Sequence, residues 1–178
     1  MRLPGVGTAI AGLGAFVPGY VLVFPEMHVD STLRIPDAHQ KRFHLFAKSV
    51  LGEVEEAFGP TTVFEHGSCS ISKSRRSACI DHAHLHLVPG NYSLNPGDLL
   101  TMQLTSSGMP STYKHRRSYL LLAEPGRTVQ YFADPGVSQY FRRKIAARMG
   151  SPDEWDYLLF PRMHNVEQTM RALNRQVA

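Results

Sequence analysis

The stretch "DHAHLHLVPG", residues 81–90, places a histidine at every second position: His82, His84 and His86 alternate with Ala83, Leu85 and Leu87. In a strand, residues i, i+2 and i+4 share a face, so the three imidazoles point one way and the apolar residues the other, into a core. In a helix the same spacing would scatter the rings around the surface. The alternation therefore predicts a β-strand with one imidazole face, closed by Pro89-Gly90. Three uses of such a face compete. A metal site is the first, because imidazole is a common ligand. Strand rise, however, sets the Cα atoms of His82 and His86 about 13 Å apart, so one zinc would need both side chains stretched towards each other. Two neighbouring histidines would chelate together only with a further ligand from elsewhere. A merely polar sheet face is the second use, and the nucleophile strand of an enzyme is the third.

The flanking sequence fixes the fold class. "YVLVF", 20–24, is a short apolar run ended by Pro25 and predicts a buried strand. Phe43, Phe46, Ala47, Val50, Leu51, Val54 and Phe58 recur at intervals of three and four, with charged residues between them. That spacing predicts a long amphipathic helix from Pro36 to Phe58, stopped by Gly59-Pro60. "TTVFEH", 61–66, returns to strand composition, and "GSCSISKSRRS", 67–77, reads as a polar loop. Further strands are expected near 99–105, 118–123 and 128–132, the last two separated by the turn signal "EPGR". "VSQYFRRKIAARMG", 137–150, predicts a basic helix with Gly150 at its end and Pro152 beyond, and "MHNVEQTMRALNRQ", 163–176, a last one. The expectation is an α+β domain: an antiparallel sheet of about five strands with a long helix packed on it. Residues 1–132 would form the core, and 133–178 a C-terminal helical extension of the same domain.

Composition is that of a globular chain of 178 residues, 43% hydrophobic and 19% charged, enough for one core. The net charge of +4 suits an anionic partner such as a nucleotide, and equally an arginine-rich surface. Two cysteines, Cys69 and Cys79, are too few for a disulfide framework and lack metal-ligand spacing, so a reduced, cytoplasmic setting is expected. The apolar N-terminus is broken by glycine and proline, which argues for turns between short strands and against a signal peptide or membrane span.

"HAHLHLV", 82–88, resembles the His-x-His-x-His-x-x signature of the histidine-triad (HIT) nucleotide-binding family, with apolar residues at every intervening position. "PGYVLVFPEMH", 18–28, is similar to the family's strand followed by a proline and a histidine shortly before the long helix. The order strand, helix, strand, loop, triad strand also matches. The resemblance covers roughly residues 15–95, and "SQYFRRKIAARMGSPDEWDY" is similar to tails of some HIT-like proteins. Two departures bear on the substrate. Ala78-Cys79 stands where the family commonly has an amide or small hydroxyl residue, and Glu65-His66-Gly67 replaces an asparagine.

The resemblance implies a HIT-like fold and a hydrolase that cleaves at the α-phosphate of a nucleotide anhydride, phosphoramidate or ester, such as a dinucleoside polyphosphate. It gives the nucleophile's role to His84, through a covalent nucleotidyl-histidine. An imidazole with an ordinary pKa of about 6.5 has a substantial neutral fraction at neutral pH, and covalent catalysis splits one difficult displacement into two easier ones. His86 would bond a phosphoryl oxygen and protonate the leaving group, His82 would orient its neighbour, and His28 resembles the family's supporting histidine. Lys73, Arg75 and Arg76 in the loop before the triad, and Arg142, Arg143 and Gln139 on the late helix, would meet phosphates. Each basic set, taken by itself, reads more readily as a solvated surface, since charged runs usually are. Glu65 and His66 are close in sequence to a site that needs acid–base groups. No Walker loop or Rossmann fingerprint is present, and no cofactor or metal is expected. Two alternatives stand beside the hydrolase. A nucleotidyltransferase or phosphorylase is disfavoured by His86, since such relatives typically carry Gln there. A non-catalytic nucleotide- or RNA-binding module is permitted by the basic helix, but base-stacking aromatics are sparse in it. A homodimer is expected only by analogy with the family.

Overall fold

Among the described residues seven strands, not about five, build the sheet. The computed structural model describes residues 1–68, 82–97, 99, 101 and 118–174. The strands are β1 (Arg2–Leu3), β2 (Gly7–Ala11), β3 (Val21–Pro25), β4 (Thr61–Gly67), β5 (Leu85–Pro89), β6 (Tyr119–Ala123) and β7 (Gln130–Ala133). They lie in the order β1-β2-β3-β5-β4-β6-β7, and every pairing is antiparallel. The helices are α1 (Asp37–Phe58), preceded by a short 3-10 turn at Thr32–Arg34, then α2 (Tyr140–Arg148) and α3 (Met163–Asn174). Among the described residues no helix is long and apolar enough to cross a membrane.

The two additional strands come from the glycine-rich N-terminus. Glycine is depleted in strands, so "GVGTAIAG" carries little strand signal of its own. A tight turn with Gly5 at φ 72° returns the chain so that Arg2 pairs Thr8, and β2 then zips along β3 from Gly7–Pro25 to Ala11–Val21. Other boundaries also shift. β5 begins only at Leu85, so His86 lies in the strand while His82 and His84 lead into it. Of the strand expected near 99–105, the described part contributes a single bridge, Thr101 to Phe132. The basic helix is shorter than 137–150, because Gln139 at φ 54° is left-handed and cannot be its first turn.

Alternation along the strands sorts the core into two layers. Val21, Val23 and Leu87 face α1, whose Phe43, Phe46, Val50 and Val54 form its buried stripe. Phe64, Val88, Leu120, Leu122 and Phe132 face the other way, onto Tyr140, Phe141 and Ile145 of α2. The sheet is therefore covered on both faces, with the histidines on the α2 side. Burying each of these large side chains contributes about 1.5–3 kcal/mol, so both layers matter to stability. The C-terminal segment is tied to the N-terminal one by buried hydrogen bonds. Asn165 Nδ2 donates to the Ala15 carbonyl at 2.7 Å, and the Gly19 amide donates to Thr169 Oγ1 at 2.7 Å.

Candidate active site

His84 is held in one tautomer by a backbone carbonyl. Its Nδ1 donates to the backbone carbonyl of His82 at 2.8 Å. In the neutral ring that bond consigns the hydrogen to Nδ1 and leaves the lone pair on Nε2. Burial pushes its pKa down, against a partial rise from the bond to His82, and the nearby His82 and His66 lower it further. The ring stacks on Phe24 at 5.5 Å and lies 4.6 Å from the ring of His86. His82 is itself fixed, its Nε2 donating to the Pro25 carbonyl at 2.8 Å.

His86 is held in the complementary tautomer. Its Nδ1 lies 2.5 Å from the hydroxyl of Tyr20, and that hydroxyl lies 3.0 Å from Nη1 of Arg142. A guanidinium only donates, so the tyrosine oxygen accepts from Arg142 and its own hydrogen goes to His86. His86 Nδ1 is then an acceptor, and the ring hydrogen sits on Nε2. Burial, reinforced by His84, Arg142 and His66, drives the His86 pKa well below the ordinary histidine value. The ring also stacks on Phe64 at 4.3 Å. His86 is thus a neutral Nε2–H donor, a role at odds with protonating a leaving group.

Arg142, which lines the cavity beside His84 and His86, is anchored by several acceptors at once. Nη2 donates to the Gly14 carbonyl and Nε to the Trp155 carbonyl, both at 3.0 Å, and Nε also donates to Gln139 Oε1 at 3.1 Å. Its guanidinium sits 4.6 Å over the Phe16 ring. Among the described residues no carboxylate lies within ion-pair distance of it. Gly14 makes the close approach possible: at φ 65°, a Cβ there would come within 2.5 Å of Arg142 Nη2.

A cavity of about 230 Å³ opens beside these groups. Its apolar wall includes Ile10, Leu22 and Phe24, and its polar groups include His66, His84, His86 and Gln139. His66 reaches it from β4, with Nε2 at 3.0 Å from Asp134 Oδ1, just past β7. Phe64 pairs His86 across β4 and β5, and His66, two residues on along β4, shares the sheet face of Phe64.

The remaining expected site residues lie elsewhere. Glu65 points to the opposite face from His66 and is buried, with its carboxylate accepting from the Thr32 amide, the Thr32 hydroxyl and the Tyr119 hydroxyl. Burial pushes its pKa up, opposed by those three bonds. It braces the 3-10 turn against the sheet and does not line the cavity. His28 is exposed and packs its ring 5.1 Å from that of His82, behind the site. Arg143 stacks 3.4 Å over the Trp155 ring and donates to the Ser138 carbonyl, so it does not line the cavity either. Lys73, Arg75 and Arg76 lie outside the described residues. Sequence reasoning missed Tyr20 and Asp134. Tyr20 begins the apolar run that predicts β3, and nothing local marks its hydroxyl for His86; Asp134 precedes Pro135-Gly136 and reads as a turn residue. Neither protein-family models nor curated proteins give a match to this chain.

Proposed function

We propose that this chain is a HIT-type nucleotide hydrolase that cleaves at the α-phosphate of a nucleotide anhydride, phosphoramidate or ester through a nucleotidyl group carried on His84. The observation that carries the reading is the bond from His84 Nδ1 to the His82 carbonyl, which presents an unprotonated Nε2 beside an apolar cavity. In-line attack by Nε2 on the α-phosphorus forms the P–N bond as the bond to the leaving group breaks. Water then attacks the same phosphorus and the P–N bond breaks. While the bond exists the His84 ring is positive, and the His82 carbonyl lies against its Nδ1–H. His86 Nε2–H supplies a neutral hydrogen bond to a non-bridging phosphoryl oxygen, where charge builds in the transition state. The apolar wall of Ile10, Leu22 and Phe24 suits the flat face of a nucleobase.

The test is turnover of a nucleotide panel in ¹⁸O-labelled water, containing a dinucleoside tetraphosphate, AMP p-nitrophenyl ester and adenosine 5′-phosphoramidate. The expected result is AMP carrying one solvent oxygen from at least one substrate, with turnover abolished in His84→Ala. Transfer of the nucleotidyl group to added phosphate in preference to water would make the chain a transferase. Saturable binding with no product would make it a binding module. Turnover undiminished in His84→Ala would remove the nucleophile assignment.

A further inference from the structure

The α2 wall of the cavity carries a charge that the fold does not balance. Among the described residues lining the cavity there is no aspartate or glutamate, and Arg142 is the one permanent cation. Arg142 is only 4% exposed. Its acceptors are the carbonyls of Gly14 and Trp155, the Gln139 amide oxygen and the Tyr20 hydroxyl, all uncharged. A buried guanidinium is ordinarily paired with an anion, because neutral acceptors offset only part of the cost of taking the charge out of water. The positive potential of Arg142 therefore acts on the cavity it lines. We propose that Gln139 and Arg142 form an anion subsite apart from the triad, filled by the phosphates of the leaving group. It makes these two residues the specificity determinants that favour anhydrides over esters and phosphoramidates with uncharged leaving groups. The inference rests on the hydrolase reading and narrows it.

Gln139 supplies the contact and Arg142 the field. Gln139 Oε1 accepts from Arg142 Nε at 3.1 Å, and a guanidinium only donates, so this bond assigns the oxygen and the nitrogen of the amide. The two hydrogens on Nε2 have no acceptor among the described residues, and they belong to a half-buried side chain that lines the cavity. A group that only donates, beside an uncancelled cation, selects an anionic acceptor.

His86 separates this subsite from the phosphate under attack. Its Nδ1 edge meets Tyr20 and, through that hydroxyl, Arg142, while Nε2–H is the donor assigned to the α-phosphate. The two nitrogens point to different sides of the ring, so the anion beside Arg142 is a second group of the substrate. Base and ribose carry no charge, which leaves the phosphates of the leaving group. As His84 Nε2 bonds to the α-phosphorus, the bridging P–O bond breaks and its electron pair departs on the leaving phosphate. That oxygen needs no proton to depart, in keeping with a neutral His86, and the subsite meets the charge that gathers there.

The experiment compares two substrates that share an AMP moiety, diadenosine tetraphosphate and AMP p-nitrophenyl ester, whose bound leaving group is uncharged. The proteins are wild type, Gln139→Leu and Gln139→Glu. Both variants leave Arg142 Nε its bond to the Trp155 carbonyl at 3.0 Å, and thermal melting checks the fold. The ratio of kcat/KM for the tetraphosphate to that for the ester is expected to fall about 10–100-fold in Gln139→Leu, the range for a lost hydrogen bond to a charged group. It should fall further in Gln139→Glu, whose carboxylate accepts from Arg142 and supplies the missing counter-charge. Inorganic tripolyphosphate should inhibit wild-type ester hydrolysis competitively, with a Ki that rises in the same order. A ratio within about threefold of wild type in both variants, less than one such hydrogen bond, would overturn the subsite and leave the His84 reading standing. A smaller loss in Gln139→Glu than in Gln139→Leu, the order a merely structural role gives, would do the same. No turnover of either substrate by the wild type would remove the hydrolase reading. Calorimetric binding of tripolyphosphate, weakened in Gln139→Glu, would then keep the anion subsite, and no binding would remove that as well.

Discussion

Replacing Tyr20 by Phe tests the lock on His86. The hydroxyl is buried, with the residue only 1% exposed, so water cannot take its place. Its loss deletes the hydrogen bond from the Arg142 guanidinium and the bond to His86 Nδ1 at a stroke. A hydrogen bond from a charged donor contributes about 1.5–3 kcal/mol, and a buried donor left without a partner costs a similar amount. A loss of about 2–3 kcal/mol is expected, which for a chain of this length lowers Tm by about 4–12 °C. Catalysis should suffer separately. Without Tyr20 the neutral His86 ring is no longer confined to the Nε2–H form, so kcat/KM should drop about tenfold, less than the ~10²–10³ of deleting an oxyanion donor outright. Thermal melting, steady-state kinetics and ¹⁵N NMR of the imidazole nitrogens measure the three effects on one variant. A Tm within about 1 °C of wild type, far below the expected shift, together with an unchanged His86 tautomer, would refute the lock.

Gly14→Ala should be damaging for a related reason: at φ 65° the new Cβ meets Arg142 Nη2 at 2.5 Å and Tyr157 Cβ at 2.6 Å. The left-handed backbone alone costs about 1–2 kcal/mol, so urea melts should show a clear loss. Gly52→Ala is the control, since its Cβ meets nothing within 4 Å and helix propensity favours alanine by about 0.5–1 kcal/mol. For pH, both His84 and His86 have folded values below the ordinary 6.5, so below that pH the unfolded chain binds protons that the folded chain does not. Their contribution to stability is therefore complete above about pH 6.5 and is lost as pH falls from there towards the folded values. Glu65 opposes them: its raised value makes the folded chain the tighter proton binder above the usual carboxylate range, so its contribution declines as pH rises through that value. Melting curves of wild type and His86→Asn across this range should show a shallower loss below pH 6.5 in the variant. The loss of kcat/KM from protonation of His84 should begin below the ordinary histidine value.

Periodicity made much of this legible, and chain separation hid the rest. α1 was readable because Phe43, Phe46, Val50 and Val54 repeat at helical spacing and form one buried stripe. The triad stretch was readable because alternation at period two separates its rings from Ala83, Leu85 and Leu87. The same rule applied to "TTVFEHG" puts Phe64 and His66 on one face and Glu65 on the other, which sets Glu65 apart from the site. β2 was obscure because glycine withholds strand signal, and its pairing with β3 supplies what its composition lacks. Arg142 was grouped with Arg143 as a charged run; only its place on the buried face of α2 separates it from its neighbour. Its bond to Tyr20 spans 122 residues and the His66–Asp134 pair spans 68, distances at which no local pattern records a partner.

Covalent catalysis at His84 is the claim on which the rest depends. Rapid quenching of wild-type protein with AMP p-nitrophenyl ester, followed by intact mass and peptide mapping, reads it directly. The expected result is one AMP moiety on the peptide containing His84, formed at least as fast as AMP is released and absent from His84→Ala. Turnover without any adduct, or an adduct on another residue, would contradict it.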